Sequence, residues 1–159
     1  MSDAIQTTYE IKHKPLRFGQ LSQNGPVSPS VPSFFFEVAV GYGLGVIQST
    51  EGKATIPNGE ADLSKFAGFV VYDLRNAHPD TALDSVVAGT DNGCCEKGSL
   101  GVQSTTGGNY DEKVYLIMSG ADAGKVSNAS GDGLELPGYT FSKTSSSSEP
   151  ALVSNIRGF

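Results

Sequence analysis

Glycine and proline punctuate this chain from end to end, and that punctuation limits its fold more than any other feature. Twenty glycines and eight prolines are spread through 159 residues. Inside a helix, glycine costs about 1 kcal/mol and proline about 3 kcal/mol relative to alanine. Few windows between these breakers are long enough for a helix. A core must therefore be assembled from short segments, which points to strands. The expected fold is all-β or mostly β, a small antiparallel barrel or sandwich, carrying an extended N-terminal arm. A chain of this length buries roughly two-thirds of its unfolded surface, so neither metal nor disulfide is needed to hold it together.

The arm is residues 1–33. Tyr9-Glu10-Ile11-Lys12-His13-Lys14 alternates in part, and Leu16 and Phe18 follow. The stretch Gln23 to Pro32 then holds three prolines in seven residues. Each ring fixes φ and removes a backbone donor, so the segment reads as extended and polyproline-like, with one strand at most.

Residues 34–159 read as the β-domain. Phe34–Val40 is a candidate strand, followed by the glycine-rich Gly41-Tyr42-Gly43-Leu44-Gly45. Asn58-Gly59 is a tight-turn pair after Lys53–Ile56. Phe66–Leu74, rich in aromatic and β-branched residues, suits a buried strand. Asp80 to Val87 is the one plausible helical turn. Gly98–Val102, Lys113–Met118, Lys125–Ser127, Tyr139–Lys143 and Ala151–Arg157 complete a series at the spacing of a barrel or sandwich. The serine run 145–148 marks a hairpin tip.

Charge narrows the partners. With 11 basic against 17 acidic residues the net charge is −6, whereas nucleic-acid binding needs a concentrated basic surface. Lys12, Lys14 and Arg17 cluster weakly, as on a solvated strand edge. No apolar run approaches the ~20 residues of a membrane span. Met1 to Gln6 lacks the basic and apolar regions of a secretory leader, so synthesis in a host cytoplasm is expected. Neither nucleic acid nor membrane is expected as a partner.

Catalytic chemistry finds no footing. The two histidines, His13 and His78, read as solvated arm and loop residues, and no G-x-S-x-G elbow is present. Gly41 to Gly45 departs from the dinucleotide spacing. Asp91-Asn92-Gly93 and Asn128 to Gly133 place oxygens near glycine but lack the other acidic positions of a calcium loop. Cys94-Cys95 cannot staple distant parts of the chain, and a zinc site would need further ligands; they read as small buried hydrophobes. The expectation is a non-enzymatic binding protein with no catalytic residues, no cofactor and no metal.

Several segments, taken in order, resemble the structural cement proteins of tailed phages. These are Phe66-Ala67-Gly68-Phe69-Val70-Val71, then Glu96 to Val102, then Tyr110-Asp111-Glu112-Lys113-Val114-Tyr115. Gly124-Lys125-Val126-Ser127-Asn128 follows, and Leu136 to Phe141 with Ala151-Leu152-Val153 resembles the closing hairpin. The resemblance covers about the last hundred residues and rests on order rather than on any single motif. It implies a capsid decoration protein on the outer surface of a phage head, where it stabilises the shell by bridging neighbouring major capsid protein subunits. Closed oligomers are common in symmetric assemblies, so a homo-oligomer, a dimer or trimer, is expected. On that reading Tyr9, Ile11, Leu16 and Phe18 are partner contacts, since an arm docks readily by strand addition. The alternative for these four is that they complete the protein's own sheet. The competing functions are another virion part (a head fibre base or tail protein) and a carbohydrate-binding module. The latter sits badly with a tryptophan count of zero.

Overall fold

The computed structural model of the chain describes residues 17–22, 29–59, 63–73 and 85–155. Twelve strands form there: β1 (Ser33–Phe36), β2 (Val40–Gly41), β3 (Gly45–Thr50), β4 (Lys53–Thr55), β5 (Phe66–Val70), β6 (Ser85–Val86), β7 (Thr90–Cys95), β8 (Gly98–Val102), β9 (Lys113–Leu116), β10 (Val126–Ser127), β11 (Leu134–Phe141) and β12 (Ala151–Asn155). The one helical element among the described residues is the 3-10 turn Leu63–Lys65. The fold is therefore almost wholly β, as the glycine and proline spacing requires.

β1, β4, β3, β5 and β7 close into a five-stranded barrel, and β10, β9, β11, β12 and β8 form a second sheet in that order. The short β2 and β6 pair with each other. All pairings between these strands are antiparallel except that of β1 with β4. Phe34–Val40 is thus two strands with a break at Glu37–Ala39, and Ser85 and Val86 are strand rather than helix. Asp80 to Asp84 lie outside the described residues. Asn58-Gly59 closes no hairpin; the Gly59 N–H instead donates to the Met118 carbonyl at 2.6 Å.

Two hydrophobic cores result. Phe36, Val40, Tyr42, Val46, Ala54, Val70, Val86 and Cys94 form one with the barrel strands. Leu100, Val102, Val114, Leu116, Leu136, Tyr139, Phe141 and Val153 form the other along the second sheet, joined by Ile47, Phe69 and Cys95 from the barrel.

β5 supplies both cores by changing phase. Strict alternation would put Ala67 and Phe69 on one face. Instead Ala67 and Val70 join the first core, while Phe69, with Phe66 beside it, joins the second. The change occurs at a bulge: Val46 opposes Gly68, but the next residue, Ile47, opposes Phe66. Phe66, Phe69 and Tyr139 then meet edge to face, with ring centroids 5.4–6.1 Å apart. A second irregularity brings Tyr139 there. Glu135 and Thr140 of β11 oppose Tyr115 and Lys113 of β9, so Leu136–Tyr139 arch away from the partner strand. Tyr139 and Leu136 are buried under that arch, and the Tyr139 hydroxyl donates to the Glu96 carbonyl at 2.6 Å.

Candidate functional site

A site for chemistry would need polar or nucleophilic groups converging in an accessible place. Among the described residues no three His, Cys, Asp or Glu side chains stand close enough to hold a metal. His13 and His78 lie outside the described residues. Asp91-Asn92-Gly93, the calcium-like triplet, is the middle of β7. There the buried Asn92 amide donates to the carbonyls of Val71 and Gly93 at 2.8 and 3.0 Å. No helix among the described residues is long and apolar enough to cross a membrane.

The two cysteines are free and buried, and strand alternation sends them into different cores. Burial pushes the Cys94 thiol up to about 12, the neighbouring Cys95 adding to the shift. Burial likewise pushes Cys95 up to about 11, against a smaller lowering effect from the Lys97 backbone; the protonated thiol donates to the Lys97 carbonyl at 3.2 Å. Thiols held neutral and out of solvent are poor nucleophiles. Native protein at pH 8 is therefore expected to resist a thiol reagent such as DTNB, and both cysteines to react on unfolding. Rapid labelling of the native chain would contradict this burial. The raised values also give a sign for stability. Their contribution is complete below the ordinary thiol value, about 8.5. It is lost progressively as pH climbs from there to 11–12, because the unfolded chain releases these protons first. Denaturant melts at pH 8 and pH 10.5 should show the loss.

What remains is surface, and its character is set by how the sheets end. A barrel has no edge strand. In the second sheet, the outer side of β8 is taken by the chain's own leading segment. Gly19 and Ser22 donate to the Gly101 and Ser99 carbonyls at 2.7 and 2.8 Å, and Gly101 donates to Gln20 at 3.0 Å. Further along, Ser30 exchanges hydrogen bonds with Lys97 and Glu96. The outer side of β10 is taken by residues 103–105: Val126 donates to Gln103 at 2.9 Å and Thr105 to Val126 at 3.0 Å. Both outer strands of that sheet are thus already paired over these residues.

The expected partner contacts divide accordingly. Tyr9, Ile11 and Leu16 lie outside the described residues. Phe18 is half-buried and packs against the barrel core, while Arg17 beside it reaches Tyr72, hydrogen-bonding its hydroxyl at 3.1 Å with the guanidinium over the ring. The described part of the leader is fastened to both halves of the molecule.

Two surface features went unread in the sequence. One is an open apolar groove of ≈ 370 Å³ between the 3-10 turn and the β11 arch, lined by Leu63, Ser64, Phe66, Leu136 and Pro137. The other is the turn Asn109–Glu112 before β9. It carries Tyr110, at 71% the most exposed large hydrophobic among the described residues. The Glu112 carboxylate accepts from the Asn109 N–H at 2.8 Å, the Asn128 amide at 3.0 Å and the Asn109 amide at 3.2 Å. These donors, led by the Asn109 backbone, hold the carboxyl below its ordinary pKa. Asn109 with Glu112 three residues on is the spacing of a capping box, and that spacing was the available signal.

Comparisons with known proteins agree with this architecture. One chain of a solved structure, "The capsid of Myoviridae Phage XM1", matches with a TM-score of 0.69 and 16% identity, covering 100% of this chain and 99% of that one. At that identity the likeness bears on fold alone. No curated protein sequence matches the chain. A family model does: structural cement protein (E217 gp24/Pam3 gp6), over residues 5–155. That span runs through both cores and the leading segment, and on it the chain belongs to the structural cement protein family of bacteriophages.

Proposed function

We propose that this protein cements a phage head: it binds the outer surface of the shell and bridges neighbouring major capsid protein subunits. The family match over residues 5–155 carries the reading. The molecule's physics favours it, since buried thiols and paired outer strands suit a rigid spacer better than a catalyst. A protein that binds assembled subunits and not free ones stabilises the assembly by mass action. Several modest contacts made by one copy reinforce one another through their effective concentration.

The leading segment fits the bridging role as a donor. Phe18 and Gly19–Ser22 fasten it to the domain, and the sixteen residues before Arg17 have a reach of up to roughly 50 Å if extended. Tyr9, Ile11 and Leu16 are the side chains proposed to contact a neighbouring subunit. Pairing would add this segment to a strand edge of the partner. A dimer or trimer of the cement protein would multiply these contacts on a symmetric lattice.

The test is to mix purified protein with capsids lacking it. Saturable binding at a fixed, high copy number is expected, with a raised capsid melting temperature. Binding only at a few copies per particle would favour the fibre or tail alternative, and no binding to mature capsids would sink the cement reading.

A further inference from the structure

With both outer strands of the second sheet paired over the described residues and no edge on the barrel, side chains on the loops are a further means of gripping a partner. A single exposed aromatic is ordinary on a protein surface. What sets Tyr110 apart is the disproportion between its free ring and its immobilised backbone. Each backbone N–H of its turn has an acceptor: Asn109 on Glu112 at 2.8 Å, Tyr110 on the Thr144 hydroxyl at 3.2 Å, Asp111 on the Phe141 carbonyl at 2.7 Å, Glu112 on the Asn109 carbonyl at 3.2 Å. Asp111 holds φ +68, the one positive value outside glycine among the described residues. That conformation costs a folded chain energy and persists only when its surroundings fix it. The surroundings here are three separate segments, from β11, from its following loop and from Asn128 after β10. A backbone held this way loses little further entropy when the ring is captured, which suits a binding hot spot.

We propose that Tyr110 is a side-chain anchor of the domain on the capsid shell, entering an apolar pocket of the major capsid protein that presents a hydrogen-bond acceptor to its hydroxyl. The proposal rests on the cement reading and names a contact within it. A tyrosine offers an apolar ring and one polar tip, so a pocket that satisfies both is its complement.

The experiment compares full-length wild type, Tyr110→Ala and Tyr110→Phe for binding to capsids lacking the protein. Free-protein melting and oligomer mass are measured alongside. Tyr110→Ala is expected to weaken shell binding by about thirtyfold or more. Tyr110→Phe should weaken it by roughly three- to tenfold, the loss of one hydrogen bond. Neither change should move the free protein's melting temperature or mass. Undiminished binding by Tyr110→Ala overturns the anchor while leaving cementing intact. A drop in oligomer mass assigns the ring to a second copy of this chain and also overturns it. Failure of wild type itself to bind removes the cement reading, and the anchor with it.

Discussion

Phe69→Ala is expected to lower the free energy of unfolding by about 3–5 kcal/mol, the range for removing a fully buried aromatic ring. For a domain whose total stability is about 5–15 kcal/mol, that is a large share. At this chain length it corresponds to a fall in melting temperature of roughly 6–20 °C. The upper half of the range is expected because of where the ring sits. Phe69 is fully buried, belongs to a barrel strand, and packs in the core of the other sheet. It packs edge to face with Phe66 and Tyr139, the ring centroids 5.4 and 5.6 Å away. Backbone holds both bodies near it: β5 pairs with β3 and β7, and the β11 arch is tied by the Tyr139–Glu96 hydrogen bond. A cavity there cannot be closed by one side chain relaxing. The ring also joins the two cores, so its loss should reduce cooperativity as well as stability. In calorimetry, wild type is expected to melt in one transition. In the variant the exposure of Cys94, in the barrel core, should separate from that of Cys95, in the core of the second sheet. A loss below about 1 kcal/mol, with both probes still coincident, would mean the cores are joined elsewhere.

Much of this fold is legible in the sequence because its signals are local. β8, β9, β10 and β12 lie within or on the apolar runs that suggest them, between turns rich in glycine, asparagine and serine. The elements that escape notice are those whose partners decide their state. β7 reads as Thr-Asp-Asn-Gly-Cys-Cys, a turn by composition. It is a strand because β1 and β5 pair with its two sides, and the Asn92 amide is satisfied by backbone carbonyls inside. Tertiary context overrides propensity there. The Leu136–Tyr139 arch carries proline and glycine in the middle of a strand, which marks a bulge, but only the register with β9 shows how wide it is. The candidate surface is harder still. Tyr110 lies in the turn before β9, which begins at Lys113 as its apolar run suggests. Its exposure depends on acceptors from Phe141, Thr144 and Glu112, some of them more than thirty residues away. No sequence period encodes such a convergence.

The leading segment shows a subtler limit. Its residues support two readings equally, a partner-binding arm and a strand of the protein's own sheet. Gly19–Ser22 pair with β8, and Phe18 packs on the barrel core. That pairing covers an edge which would otherwise invite association between copies. A segment that is fastened at one point can still extend beyond it, so own-sheet pairing after Arg17 and partner contact before it are compatible roles in one stretch of chain.

The bulge in β5 gives the sharpest prediction about how sequence sets this fold. Gly68 has φ +121, and a Cβ there would stand 2.5 Å from the Cys95 carbonyl oxygen and 2.7 Å from its carbon. Both obstacles are backbone of the paired strand β7, so no side-chain rotation relieves them. Gly68→Ala therefore combines conformational strain with a clash, and a loss of about 3 kcal/mol or more is expected. Two other glycines separate these causes. Gly89 has φ +81 and nothing within 4 Å of where a methyl would stand, so Gly89→Ala should show the strain alone, about 1–2 kcal/mol. Gly131 has open space and no positive φ, so Gly131→Ala should stay within about 0.5 kcal/mol of wild type. Urea melts of the three variants give the order directly. If Gly68→Ala is no worse than Gly89→Ala, the strands can part at the bulge without penalty, and the phase change of β5 is not fixed by that close approach. If the order holds, the bulge that turns Phe69 toward the second sheet rests on the absence of a side chain at position 68. The joining of the two cores then follows from a residue with no side chain at all.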